Sequence, residues 1–395
     1  MSYVGLYHRP HINYQLIYVL SVVFAFHNAL ILFINSTYIE RFVPAEVVGA
    51  FFMIGSALAV FGFLFISRIL RKVGNVALTL GLAITEIIVL LTLGLTTTPA
   101  VAIVAFVVFL IVNPLIFLNL DIFSETIIGD DEESTGHKRG LVLALISGAA
   151  MLGPLAISPI AGADDANLNY VYFVSAAVLS VFVIVVISRF GQFADPQYHE
   201  VKVLDAIASF WANTNIRFAL AAQFMLQVCF SWLVIYVPLY LATIIGLSWA
   251  EIGLAIAIGT LAYVLFEFPI GYIADRHIGE QEMMIAGFII MALSVASMSL
   301  LGGGNIWFWM AVMFIIRVGA SLVEVTTESY FFKHTKGNDT NFLSFFRLSR
   351  PLAIIFGGLL GSTSLLFLTF QSIFLVLGVI LLSGVYFASQ LVDTK

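Results

Sequence analysis

The stretch "DIFSETI", residues 121–127, has a counterpart in "EVTTESY", residues 324–330, at a spacing of 203 in a chain of 395. Each opens on an acidic residue, Asp121 or Glu324. Each carries a second one four positions on, Glu125 or Glu328, flanked by hydroxyl side chains. Residues i and i+4 share a helix face, so each stretch forms an acidic strip one turn long. Both lie at the ends of long apolar runs. An acidic strip repeated at half the chain length predicts two related units of similar size.

The surrounding composition says what those units sit in. Sixty-one per cent of the residues are hydrophobic and ten per cent charged, where a soluble domain carries about a quarter charged. Runs such as "LIYVLSVVFAFHNALILFI" (16–34) and "VAIVAFVVFLIV" (101–112) suit helices crossing ~30 Å of hydrocarbon. Twelve apolar segments are expected: 15–37, 45–66, 75–95, 99–127, 140–162, 168–189, 217–244, 250–272, 282–301, 305–330, 350–369 and 371–391. The weakest division is the last, at "STSLLFLTFQS". The fold class is therefore an all-α membrane protein of twelve transmembrane helices in two six-helix bundles, with the lipid bilayer as its main partner.

Basic residues set the expected orientation. Of the 17 Lys and Arg, Arg41 alone falls in the loops after odd-numbered segments, and Arg317 alone lies inside a segment rather than at its end, as Arg189, Arg217 and Arg350 do. The rest fall in the termini and alternate loops, which places both termini and those loops in the cytoplasm of an inner or plasma membrane. The N-terminus lacks a basic n-region and a small-residue cleavage pattern, so the first apolar run is expected to stay. Three parts follow: an N-terminal bundle over 1–189, a cytoplasmic linker over 190–216, and a C-terminal bundle over 217–395. In the linker Val201, Leu204, Ala208 and Trp211 recur at helical spacing, as in an amphipathic surface helix.

Several functions are excluded or unsupported. Cys229 is the one cysteine, so no intrachain disulfide is possible, and no metal cluster of Cys/His spacing is present. No Gly-x-x-x-x-Gly-Lys-Ser/Thr loop is present, so ATP is not the expected driver. No Gly-x-Gly-Asp or His-Glu-x-x-His pattern of a membrane hydrolase occurs, and no enzyme activity, cofactor, metal or nucleic-acid partner is expected. "GDDEESTGHKRG" (129–140) reads as a solvated loop, and His137 in it has no ligand spacing.

The two-times-six plan with matched motifs resembles the major facilitator superfamily. "GYIADRHIG" (271–279) resembles its loop signature Gly-x-x-x-Asp-Arg-x-x-Gly, and "YVPLYLATIIGLSWAEIG" (236–253) its usual passage from helix 7 to helix 8. The first-half loop "FLFISRILRKVG" departs from it, with Phe63 for Gly and Ser67 for Asp, and keeps Arg68, Arg71 and Lys72. Arg139 and Gly153 pair with Arg347 and Gly361 at a shift of 208. Gly153-Pro154 is what remains of the family's antiporter signature in segment 5.

The resemblance implies a secondary transporter of a small molecule that works by alternating access as a monomer. Sugar-porter members carry Glu at the ends of helices 4 and 10, paired with basic loop residues. A cytoplasmic gate would then join Glu125 to Arg139 or Arg68, and Glu328 to Arg347 or Arg276, with Asp121 and Asp275 beside them. Ion pairs there would hold the halves together in the outward-open state.

Deeper polar residues are costly in lipid and so mark sites. Arg317, Ser321, Glu324 and Glu328 recur at steps of four, three and four along one helix face. Arg317 would meet either an anionic substrate group or a buried carboxylate, Glu267 or Glu324. Glu267 would carry a coupling proton or pair with Arg317, and Glu86 fits a packing role. His27 and Asn28 in segment 1 are candidate cavity residues or helix-packing groups, as are Gln223, Gln227 and Tyr236 in segment 7, with Ser231 and Trp232 between them. Proton coupling is expected over sodium, with a slight preference for efflux. Import of an anionic or hydroxylated metabolite anchored by Arg317, and a non-transporting receptor of the same fold, are the alternatives.

Overall fold

The computed structural model describes residues 15–128, 132–162, 167–198, 214–276, 278–300, 303–334 and 340–391. Twelve helices account for nearly all of them. They are α1 (Gln15–Glu40, with a turn at Phe33), α2 (Ala45–Val73), α3 (Asn75–Leu95), α4 (Pro99–Ile128), α5 (Glu132–Ala161) and α6 (Leu168–Arg189). The second half repeats the set as α7 (Thr214–Thr243), α8 (Trp249–Arg276), α9 (Glu280–Ser297), α10 (Ile306–His334), α11 (Thr340–Leu365) and α12 (Ile373–Ser389). Ten contain apolar spans of 18 residues or more, and α5 and α12 contribute shorter apolar stretches, Leu145–Ala161 and Ile373–Ser389. Pro114, Pro154, Pro159, Pro238, Pro269 and Pro351 sit inside helices, as neighbouring helices in a membrane bundle allow.

Two boundaries differ from the sequence reading, and the weakest expected one is kept. The stretch expected as a loop before segment 5 is helical from Glu132, because acidic residues suit a helix's first turn. Helix α2 continues through Arg68, Arg71 and Lys72 to Val73, so the connection to α3 is Gly74 alone, at φ +80°. The break before α12 is real: residues 366–372 form turns. The expected linker helix falls largely on 199–213, outside the described residues, while residues 190–198 form a non-helical strap.

Consecutive helices run antiparallel, and polar bonds tie neighbouring connections at each end. Tyr38 Oη donates to the Leu93 carbonyl (2.5 Å), Asn169 Nδ2 to that of Gly94 (3.3 Å), and Gln371 Nε2 to that of Ser299 (2.9 Å). At the other end, called here the basic end, the backbone N–H of Asn75 donates to Asp195 of the strap (2.8 Å). Asp195 also accepts a hydrogen bond from Tyr198. Burial and the adjoining Asp195 carboxylate push the Tyr198 phenol above its ordinary value.

Within the first half α1 packs on α5 and α6, α3 on α4 and α6, and α2 on α4. Within the second, α10 packs on α8 and α9, α12 on α9 and α7, and α11 on α7. The halves meet through α2 against α11 and α5 against α8, contacts that exchange when the halves are exchanged. Glycine makes both approaches close. A Cβ on Gly358 would stand 2.5 Å from the Gly49 carbonyl oxygen, and one on Gly253 would collide with the Pro154 carbonyl. Gly49, Pro154 and Gly253 all lie toward the end remote from the basic turns, where the last stretch of α1 also packs on α7. That end is sealed. Among the described residues α4 and α10 do not pack on one another, and the cleft opens at the basic end, where Asp121, Glu328 and Arg350 are exposed.

Candidate functional site

The polar residues of the first half turn inward, into their own bundle. His27 and Glu86 are both 0% exposed, with Nε2 3.0 Å from Glu86 Oε1. Asn113 Nδ2 donates to the same oxygen (2.9 Å). Ser175 Oγ donates to the His27 carbonyl (3.0 Å), so it accepts from Nδ1, 2.7 Å away. Nδ1 therefore carries a hydrogen, and a single proton lies on the Nε2–Oε1 line. The four residues come from α1, α3, α4 and α6 and tie those helices together. His27, a candidate cavity residue on the sequence, is thus a packing residue in this structure, because its partner on α3 draws that face of α1 away from the cleft. Asn28, one position on, is nearly buried, and its Oδ1 has no protein partner.

Tyr236 also leaves the cavity set. It is fully buried, donates to the Gly358 carbonyl (2.9 Å), and its ring fills the space a side chain at Gly361 would need. It belongs to the seal between the halves. Trp232, one turn earlier, donates Nε1–H to the Gly357 carbonyl (3.0 Å). Gln223 and Gln227 are buried on the same helix, and Gln223 Oε1 lacks a protein partner. Ser321 is buried and donates to the Val318 carbonyl of its own helix (2.9 Å), so the expected stripe is interrupted there.

The second half collects its deep charges on one wall. Glu324 on α10 lies within electrostatic reach of Glu328 on α10, Glu267 on α8, Arg317 on α10 and Arg350 on α11. Glu328 interacts with Glu267, and Arg350 with Arg317. Arg317 is partly accessible, and its guanidinium carbon sits 5.3 Å from the Phe230 ring centre and 5.5 Å from that of Tyr263. Its Nη1 donates to Tyr263 Oη at 3.4 Å. Among the described residues, no oxygen of Glu267, Glu324 or Glu328 comes within 4.0 Å of either guanidinium. The expected alternative of a direct Arg317–Glu267 or Arg317–Glu324 pair is therefore not formed. Two aromatic faces hold Arg317 instead, a cation–π arrangement worth up to ~2 kcal/mol when desolvated.

Of the expected gate, Arg68 and Asp121 are exposed near the basic end, and Arg68 lies over the Phe65 ring. Glu328 is exposed and makes no ion pair among the described residues. The side chains of Glu125, Arg139, Asp275, Arg276 and Arg347 lie outside the described residues. Arg350, Tyr263 and Phe230 were not singled out from the sequence. Arg350 had a signal: it lies three positions after Arg347, one turn deeper in the same helix. The two aromatics had none among 36 Phe and 14 Tyr.

A polytopic all-α membrane protein with two equivalent six-helix halves and a charged wall in the cleft between them is a recognisable architectural class. Residues 219–392 match the family model of the Major Facilitator Superfamily. The second half is similar to that superfamily by sequence, and the whole chain shares the fold of solved transporter structures. Two solved structures illustrate the match. A nucleoside transporter, NupG, is 13% identical over 95% of this chain and 98% of its own, with a TM-score of 0.71. A POT family transporter in complex with 5-aminolevulinic acid is 11% identical over 94% of each chain, with a TM-score of 0.77. Comparison with curated protein sequences finds no match.

Proposed function

We propose that the protein is a secondary active transporter of a small molecule that works by alternating access. The observation that carries this reading is a cleft closed at one end by backbone contacts of Gly49, Gly358 and Gly253, and open at the other, where among the described residues Glu267, Glu324 and Glu328 make no ion pair with Arg317 or Arg350. Opposite charges left apart in a membrane protein are costly unless water or a ligand solvates them. That the neighbours in fold are described as transporters supports the same reading. In this reading the open end and both termini face the cytoplasm of a plasma or inner membrane, an orientation the Lys and Arg distribution supports, and the chain acts as a monomer. In this inward-facing state Glu328 makes no ion pair among the described residues, which is consistent with a gate that closes only in the outward-open state.

The driving ion in this reading is the proton, taken up by one of Glu267, Glu324 and Glu328, with efflux by proton exchange as the direction. A second reading, import of an anionic metabolite held by Arg317, has an observation of its own in the aromatic-clamped guanidinium with no carboxylate against it. Sealed proteoliposomes loaded with a pH-sensitive dye test both. A compound panel is added outside under opposite pH gradients. A transported compound moves protons, and glutamine at one of Glu267, Glu324 and Glu328 abolishes that flux. Binding by any compound with no flux under either gradient would overturn transport in favour of a receptor of the same fold.

A further inference from the structure

The charged wall holds two chemistries side by side. Arg317 presents a guanidinium stiffened by Phe230 and Tyr263, with Tyr263 Oη fixing its tilt. Arg350 on α11 lies within reach of it and adds a second positive charge. Glu324, Glu328 and Glu267 form the acidic part on α10 and α8. Seven residues separate Arg317 from Glu324, so their backbones are offset along the helix by ~10 Å, with the guanidinium deeper and the carboxylates nearer the open end. Guanidinium and carboxylate normally close to a bidentate contact when nothing stands between them. Here neither arginine lies within 4.0 Å of these three carboxylates.

We infer that the cleft binds an extended zwitterion, with its anionic group on Arg317 and its cationic group on the Glu324–Glu328–Glu267 cluster. This rests on the transporter reading and adds the substrate class to it. A substrate of one charge would satisfy one subsite and leave the other facing its own opposite charge across a gap. A zwitterion fills the gap and satisfies both. The backbone offset suits a compound whose two charges stand several atoms apart, up to a chain of about three residues or its equivalent, since an extended backbone reaches ~3.3–3.6 Å per residue. With the zwitterion bound, one carboxylate remains in excess over the two guanidiniums. A proton can neutralise it without competing for the substrate's own charges.

The experiment uses the full chain in lipid nanodiscs and follows thermal unfolding at a series of ligand concentrations. The probes are 6-aminohexanoate and triglycine, against hexanoate, hexylammonium and glycine. The expected result is saturable stabilisation by the first two, with the single-charge compounds and glycine about tenfold or more weaker. Arg317→Gln and Glu324→Gln should each remove the preference. Arg317→Lys, which keeps the charge, and the length dependence in the unaltered chain protect the test against a variant that folds poorly. Equal stabilisation by hexanoate or hexylammonium overturns the zwitterion. So does the absence of stabilisation by any of the five. Proton flux driven by some other compound would leave the transporter reading standing in either case.

Discussion

Replacing Gly358 by alanine should push the protein away from its sealed state. The added methyl would lie 2.5 Å from the Gly49 carbonyl oxygen and 3.5 Å from the Met53 amide nitrogen. Carbon–oxygen contacts close to ~3.3 Å at best, so α2 and α11 must part by ~0.8 Å. The obstructing atoms are backbone, and no rotamer change relieves them. Overpacking of this kind costs ~1–3 kcal/mol. It is felt only where the two helices touch, so it becomes a difference between the sealed and unsealed states. That difference shifts their ratio about 5- to 150-fold. The assay is labelling by a membrane-impermeant maleimide at a cysteine replacing Thr37, which is buried in the part of α1 that packs on α7. Cys229, fully buried, is replaced by serine to clear the background. Gly358→Ala should raise the labelling rate from the sealed side by that factor and lower it at a cysteine replacing Ser124, near the open end. Unchanged rates at both positions in a normally folded variant would refute the view that this contact is the seal.

The buried pair in the first half makes a sharper stability test. Glu86→Leu leaves His27 Nε2 and Asn113 Nδ2 without their partner inside the bundle and should cost ~3–5 kcal/mol. Glu86→Gln keeps one polar atom at the Oε1 position, which as oxygen still accepts from Asn113, and should cost less than Glu86→Leu. Detergent-induced unfolding read by tryptophan fluorescence measures both, and equal costs would show that the geometry carries no weight. At the basic end, Asp195→Ala removes the acceptor for the first amide of α3, and losing such a cap costs ~0.5–2 kcal/mol. Hydrogen exchange at the first turn of α3 should quicken, and exchange at the unaltered rate would rule out a capping role for the strap.

The missing acidic residue of the first-half loop shows how far local reading reaches. Ser67 stands where the resemblance expects Asp, and the sequence offers no replacement nearby. In the structure a carboxylate reaches the α2–α3 turn from Asp195, 120 positions from Asn75. The basic connection before residue 75 was readable, but its length was not, since the helix runs on through Arg71 and Lys72 and turns at Gly74 alone, at φ +80°. Its partner was not, because nothing in the spacing of either segment refers to the other.

The same division runs through the whole protein. Hydropathy determined the twelve spans, the placement of Lys and Arg the asymmetry of their connections, and the repeated acidic strip the twofold plan, because each can be read along the chain without knowing what packs on what. It also singled out Arg317, Glu324 and Glu267, since a charge in an apolar run costs energy wherever it faces. Tertiary structure decided which way the polar faces turn. His27 faces Glu86 from 59 positions away, Tyr236 faces Gly358 from 122, and Arg317 rests on Phe230 and Tyr263 rather than on a carboxylate. A helical period of 3.6 fixes which residues share a face. In a bundle surrounded by lipid, that face can meet its own half, the other half or the cleft, and only the packing of all twelve helices selects among them.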